Sequence, residues 1–425
     1  MFYRKDEVLG FFVPSFFYIS LDTSANSLPY LNDEERATYT HEYIHFMQDI
    51  TTGFGISRLI FSLHQLCDLF SNINDCTSFD DCLDSYYNLL ENNSEKESTL
   101  NDFRNEYCDD KINDVSRREL INFKLDHKNY IAILEFKKLN NSRSSYTYRF
   151  SSCDIEEGMA SFIQRKIFHT SADSIPRFPY KIMEEVVDYI APSRLTDVEL
   201  IQLCDLALQS TSPGYAFITL LLDVKDNVSV DSLWEKEMEV IDRRNGQQKC
   251  TYKPYETCKN IVESDVFREA LRCSYEGECR KDIYNYVLEL CIKGATYRQE
   301  KRSSVFSDLL SIDKTTIASK INSLHATLGA PNVFRKKDNH YFGASAERQI
   351  GAGYLPILDT LVKRALLDTH KLVCPYCSDC RSEEHKYNKV YNDNCKENFL
   401  LNIVEDKGLC MATALAKSMG IKSTF

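Results

Sequence analysis

Apolar residues along this chain recur mostly three and four positions apart, the spacing of a helix with one buried face. Asn32 followed by Glu35 has the spacing of a capping box and opens a helix expected to run to about Ile50, with Gly53 and Gly55 to stop it. Ser57–Phe70 repeats the helical spacing. Residues 71–113 are polar and rich in Asn, Asp and Ser, which suggests a helical insert with loops. The period then drops to two. Tyr130–Lys137 and Ser145–Ser151 flank the turn-like LNNSRS, and a β-hairpin is expected. A further helix is expected from Asp154 onward, and helical spacing dominates from about 176 to 295. Phe11–Leu21 reads as a strand. The polar stretch Thr296–Ser304 suggests a boundary, so the chain divides into a region 1–295 and a helical region 296–425 that ends in a Cys-rich segment, 374–410. The fold class expected is α+β, predominantly α-helical.

Composition agrees with that pattern. Gly (14) and Pro (10) are scarce in 425 residues, which disfavours collagen-like, linker-rich or multi-stranded all-β designs. Hydrophobic residues at 43% and aromatics at 12% suffice for a sizeable core. The net charge of −12 repels phosphate backbones, so no nucleic-acid partner is expected. That charge also makes Lys314–Gly329 a plain amphipathic helix rather than a DNA-reading one. No apolar run is long enough to span a bilayer, so no membrane partner is expected either. Asp6, Glu7 and Pro14 interrupt what would otherwise resemble a signal peptide, and a cytoplasmic location follows as the expectation.

Against this background one stretch stands out: Thr40–Asp49, THEYIHFMQD. His41 and His45 are four apart, hence one turn apart on one helix face, where two imidazoles can address a single ion. Glu42 lies about 100° round the helix, placed to take a proton from water rather than to bind the metal. The other reading of this pair is ordinary histidines that found partners in the core.

The run His41–Gly53, HEYIHFMQDITTG, resembles the zincin active-site helix, in particular the thermolysin-like gluzincin pattern H-E-x-x-H-x-x-x-D-x-T-x-G. His41, Glu42, His45, Asp49, Thr51 and Gly53 match it. The resemblance implies a zincin-like core and a zinc-dependent peptidase, with Glu42 as general base, Asp49 as an outer carboxylate that orients a ligand, and a third ligand from a later helix. Glu157 in Glu157–Gly158–Met159–Ala160 is the candidate, 112 positions beyond His45 and much further off than in thermolysin-like enzymes. Ser161 stands where those enzymes carry an aspartate. Asp154 and Glu157 also have capping-box spacing, and Glu156 is an alternative ligand one residue round the helix. Small residues Gly158 and Ala160 suit a close approach to the first helix. Members of the family use a Tyr or His to stabilise the oxyanion. Tyr215, opening a helix after Pro213–Gly214, is the candidate for that role, with core packing as its alternative.

The C-terminal run Cys374-x₂-Cys377-x₂-Cys380, with Cys395, His385 and Cys410 beyond, suggests a structural zinc held by Cys374, Cys377, Cys380 and Cys395, or by His385 with two of the three run cysteines and Cys395, or else buried thiols in a chain of 16 cysteines. The cofactors expected are one catalytic Zn²⁺ and a possible structural one. The partners expected are a protein or peptide substrate of restricted sequence and a regulatory protein. The rival class is a non-catalytic, metal-stabilised interaction protein.

Overall fold

The computed structural model describes residues 10–14, 16–75, 118–138, 141–171, 175–242, 248–275, 280–335, 340–343, 350–367, 374, 376–377, 394–397 and 410–418. The architecture is predominantly helical with small sheets. Most of the expected insert 71–113 lies outside these residues, and so does Cys380.

The N-terminal segment is a hairpin rather than one strand. β1 (Gly10–Val13) pairs antiparallel with β2 (Tyr18–Leu21). Pro14 follows directly after β1, and Phe17 turns the chain at φ 48°. Helix α1 (Asp33–Thr51) starts at the expected capping box: Glu35 N–H donates to Asn32 Oδ1 at 2.9 Å, and Asn32 N–H donates to Glu35 Oε2 at 3.0 Å. Asp33, Glu34 and Glu35 place negative charge against the positive end of the helix dipole. Thr52 ends α1, and α2 (Gly53–Asp75) begins at once, so Gly53 and Gly55 are helical residues. Their role is space. A Cβ on Gly55 would fall 2.4 Å from Gln48 O, and only hydrogen lets the chain turn back this tightly on α1.

Beyond the undescribed segment, β3 (Arg118–Asp126), β4 (Ile131–Lys138) and β5 (Asn141–Phe150) form an antiparallel sheet. The expected hairpin is β4–β5, closed more tightly than LNNSRS suggests, and β3 adds a third strand. Helix α3 (Ser152–Phe168) leaves this sheet directly. Then come α4 (Ile182–Ile190), α5 (Asp197–Ala207), α6 (Pro213–Lys225), α7 (Val230–Trp234), the hairpin β6–β7 (Met238–Asp242, Gln248–Tyr252), α8 (Pro254–Glu263), α9 (Asp265–Tyr275) and α10 (Arg280–Lys301). The chain continues through α11 (Ser304–Ser307), α12 (Ile317–Leu328), β8 (Asn332–Arg335), β9 (His340–Gly343), α13 (Ile350–Leu367), α14 (Asn394–Glu397) and α15 (Met411–Ser418).

The boundary expected near residue 296 falls inside α10. Arg298 in that stretch is buried in an ion pair with Asp205 of α5. The first sheet has the order β1-β2-β8-β9, with β2 and β8 parallel, so strands far apart in the sequence share it. One apolar cluster runs from Phe12 to Leu415. Helix α1 is its axis and packs against β1, α2, α3 and α10. Phe12 and Phe17 both meet Phe46 edge to face at 6.2 Å, which fixes the hairpin over the middle of α1. Among the described residues, no helix is long and apolar enough to cross a membrane.

Candidate metal centre

His41, Glu42 and His45 lie on the third and fourth turns of α1, and His41 and Glu42 are each 8% exposed. Opposite them runs α3. Its N-terminus is closed by Ser151 and Asp154: Ser151 N–H donates to Asp154 Oδ2 at 2.9 Å, and Tyr148 O–H donates to Oδ1 at 2.5 Å. The capping box therefore sits three residues earlier than Asp154–Glu157 spacing suggests. Glu157 is left with no capping duty and points at α1. Gly158 does not face α1; its open side meets Met183 of α4.

Three donor atoms converge. His41 Nε2 lies 3.1 Å from Glu157 Oε2, His45 Nε2 lies 3.3 Å from the same oxygen, and the two Nε2 atoms are 3.1 Å apart. Ligands at about 2.0–2.1 Å from a tetrahedral zinc would stand roughly 3.3–3.4 Å from one another. The observed triangle is within a few tenths of an ångström of that. The group could hold a metal ion, and it is the one such group found among the described residues.

Glu156 is committed elsewhere. Arg58 of α2 donates to its carboxylate from Nη1 at 3.1 Å and stands 3.0 Å from its other oxygen through Nη2. The same guanidinium donates to Asp49 at 2.6 Å. The choice between Glu156 and Glu157 is thus made by Arg58. Asp49 takes part through Arg58. His45 Nδ1 instead meets Gln48 Oε1 at 2.7 Å, and buried His41 Nδ1 has no hydrogen-bond partner among the described residues.

The electrostatics follow from crowding two acids and two imidazoles in a dry place. Burial alone would raise Glu157, but the charge of His45 and hydrogen bonds from both imidazoles hold it well below the usual carboxylate range. Burial alone would lower His45, but Glu157, with Glu42 and Glu156 behind it, pushes it up to about 9. Glu42 is raised by burial, against the pull of the two histidines and of Phe12 N–H, which donates to its Oε2 at 2.7 Å. A raised His45 means that the charged imidazole stabilises the metal-free chain. That stability is complete below about 6.5 and is lost as pH rises through about 9. Metal must displace this proton. Apparent zinc affinity, measured by chelator competition, is therefore expected to rise roughly tenfold per pH unit between about pH 6 and 8. A flat profile would show that His45 carries no proton to displace.

Tyr215 does not belong to this cluster. Its hydroxyl meets His127 Nδ1 at 2.6 Å and its ring packs on Tyr130, at the exposed turn between β3 and β4. The tyrosine at the centre is Tyr180, whose ring lies 6.2 Å from that of His41. The charge of Glu157, then burial, then Glu42 raise its hydroxyl well above the ordinary value, so it stays a neutral donor. Sequence reasoning missed it; the only local signal is Pro179 before it. Of the C-terminal cysteines, Cys374 and Cys395 are buried and Cys374 N–H donates to Cys395 O at 2.9 Å, while Cys377 N–H donates to Cys374 O at 3.0 Å. Among the described residues these cysteines do not form a second metal-sized group.

Comparison of the chain with family models, with curated proteins and with solved structures finds no match.

Proposed function

We propose that the chain is a zinc-dependent metallopeptidase of gluzincin type, with a zincin-like core formed by α1 and α3. One observation carries the reading: two imidazole nitrogens and one carboxylate oxygen meet at 3.1–3.3 Å beside a second, non-ligating carboxylate. Zinc bound by His41, His45 and Glu157 supplies Lewis acidity to a water molecule and to a substrate carbonyl. Glu42 takes the proton of the attacking water and passes it to the leaving amine. Its raised affinity for protons suits that task. Phe12 N–H holds one carboxylate oxygen and so aims the other. Tyr180, neutral and beside His41, donates a hydrogen bond to the developing oxyanion. The substrate is a peptide or protein segment. Enclosure of the centre by the surrounding helices favours a restricted target, and a regulatory partner fits the same picture.

Elemental analysis of the purified chain tests the centre. The wild type is expected to carry one zinc at this site, and His45→Ala or Glu157→Gln to lose it. Glu156→Gln should keep it, because Arg58 holds that carboxylate away. Equal zinc in wild type and His45→Ala would remove the proposal. A centre that binds zinc but has no position open to water would point to the metal-stabilised interaction protein instead.

A further inference from the structure

Gln48 is fully buried, and its amide spans the two ligand-bearing helices. Its Oε1 lies 2.7 Å from His45 Nδ1, and its Nε2 donates to Glu156 O at 3.1 Å. Glu156 O is the carbonyl of the peptide bond that leads into Glu157. That carbonyl can only accept, so the NH₂ end of the amide must face it. The oxygen end must then face His45. An oxygen can only accept there, so Nδ1 is the nitrogen that carries hydrogen, and the Nε2 lone pair is left for the ion. A flipped amide would set two oxygens against each other at Glu156 and leave His45 with the wrong nitrogen free.

We propose that Gln48 is a positioning residue of the metal centre, one that selects the metal-binding tautomer of His45 and ties it to the backbone of Glu157. The inference rests on the metal-centre reading above. A single amide sets the hydrogen placement of one ligand and the location of another. Neither Asp49 nor Arg58 can do this, since their charges pair with each other and with Glu156. Groups that orient metal-bound histidines generally change metal affinity by about 10–100-fold when lost.

The test uses the full chain, zinc competition against a chromophoric chelator, and the visible absorption bands of the Co²⁺-substituted protein. Gln48→Met keeps the volume and removes both hydrogen bonds. It is expected to bind zinc about 10–100-fold more weakly and to shift the Co²⁺ bands, with far-UV circular dichroism unchanged. Should that variant fail to fold, Gln48→Glu keeps the acceptor for His45 and breaks the tie to Glu156 O. Its Co²⁺ bands should shift too, with a smaller loss of affinity. Wild-type affinity together with wild-type Co²⁺ bands in a folded Gln48 variant overturns the inference while leaving the metal centre standing. A wild-type chain that takes up no zinc removes both.

Discussion

Glu42→Gln is expected to keep its zinc and to lose peptide hydrolysis by roughly 10²–10⁴-fold, the range for removing a positioned general base. The substitution is nearly isosteric. Glutamine still offers an oxygen to Phe12 N–H, so β1 should stay where it is. The amide also cannot take a proton at neutral pH, which isolates the proton-transfer step from the fold. Zinc should remain because the three converging donor atoms belong to His41, His45 and Glu157. The assay needs a substrate. Comparison of new N-termini generated in a protein extract by wild type and by Glu42→Gln supplies one, since only base-dependent cleavages differ. Retained zinc with abolished cleavage supports the assigned role. A variant as active as wild type on the same sites sinks it. Removal of zinc with a chelator should reproduce the loss, and re-addition should restore the wild type alone.

Local patterns and distant contacts differ in how readily a sequence shows them. The capping box Asn32–Glu35, the i and i+4 histidines and the period-two run of β4 are local, and the fold contains each. The choice of Glu157 over Glu156 is not local. It is made by Arg58, on another helix 98 positions before Glu156. Tyr180 was invisible for a similar reason: among 25 tyrosines only its place in space marks it. The parallel pairing of β2 with β8 joins Tyr18 to Asn332, a contact that no window of sequence contains. The polar stretch Thr296–Ser304 contains Arg298, which is fully buried, and its partner Asp205 is 93 positions away.

That arginine carries the second large effect. Asp205→Ala is expected to destabilise the chain by about 3–5 kcal/mol, because it leaves a buried guanidinium without its counter-charge. Arg298 and Asp205 pair in a fork, Nη1 to Oδ2 and Nη2 to Oδ1, both at 2.6 Å, with side-chain exposures of 0% and 1%. Arg298 Nε also donates at 2.9 Å to Thr51 O, the last residue of α1, and Trp234 and Phe306 cover the group. The pair thus joins α10 and α5 to the end of the helix that carries both histidines. Two charges taken out of water gain little net free energy from each other, but either one alone is costly. A double variant, Asp205→Leu with Arg298→Met, should therefore recover most of what the single change loses. Denaturant midpoints for the three chains decide the matter. A single-variant loss below about 1 kcal/mol would mean that water or another anion reaches Arg298, contrary to its complete burial. Recovery in the double variant, with zinc affinity at the wild-type level, would show that the pair fixes where α1 ends without touching what α1 binds.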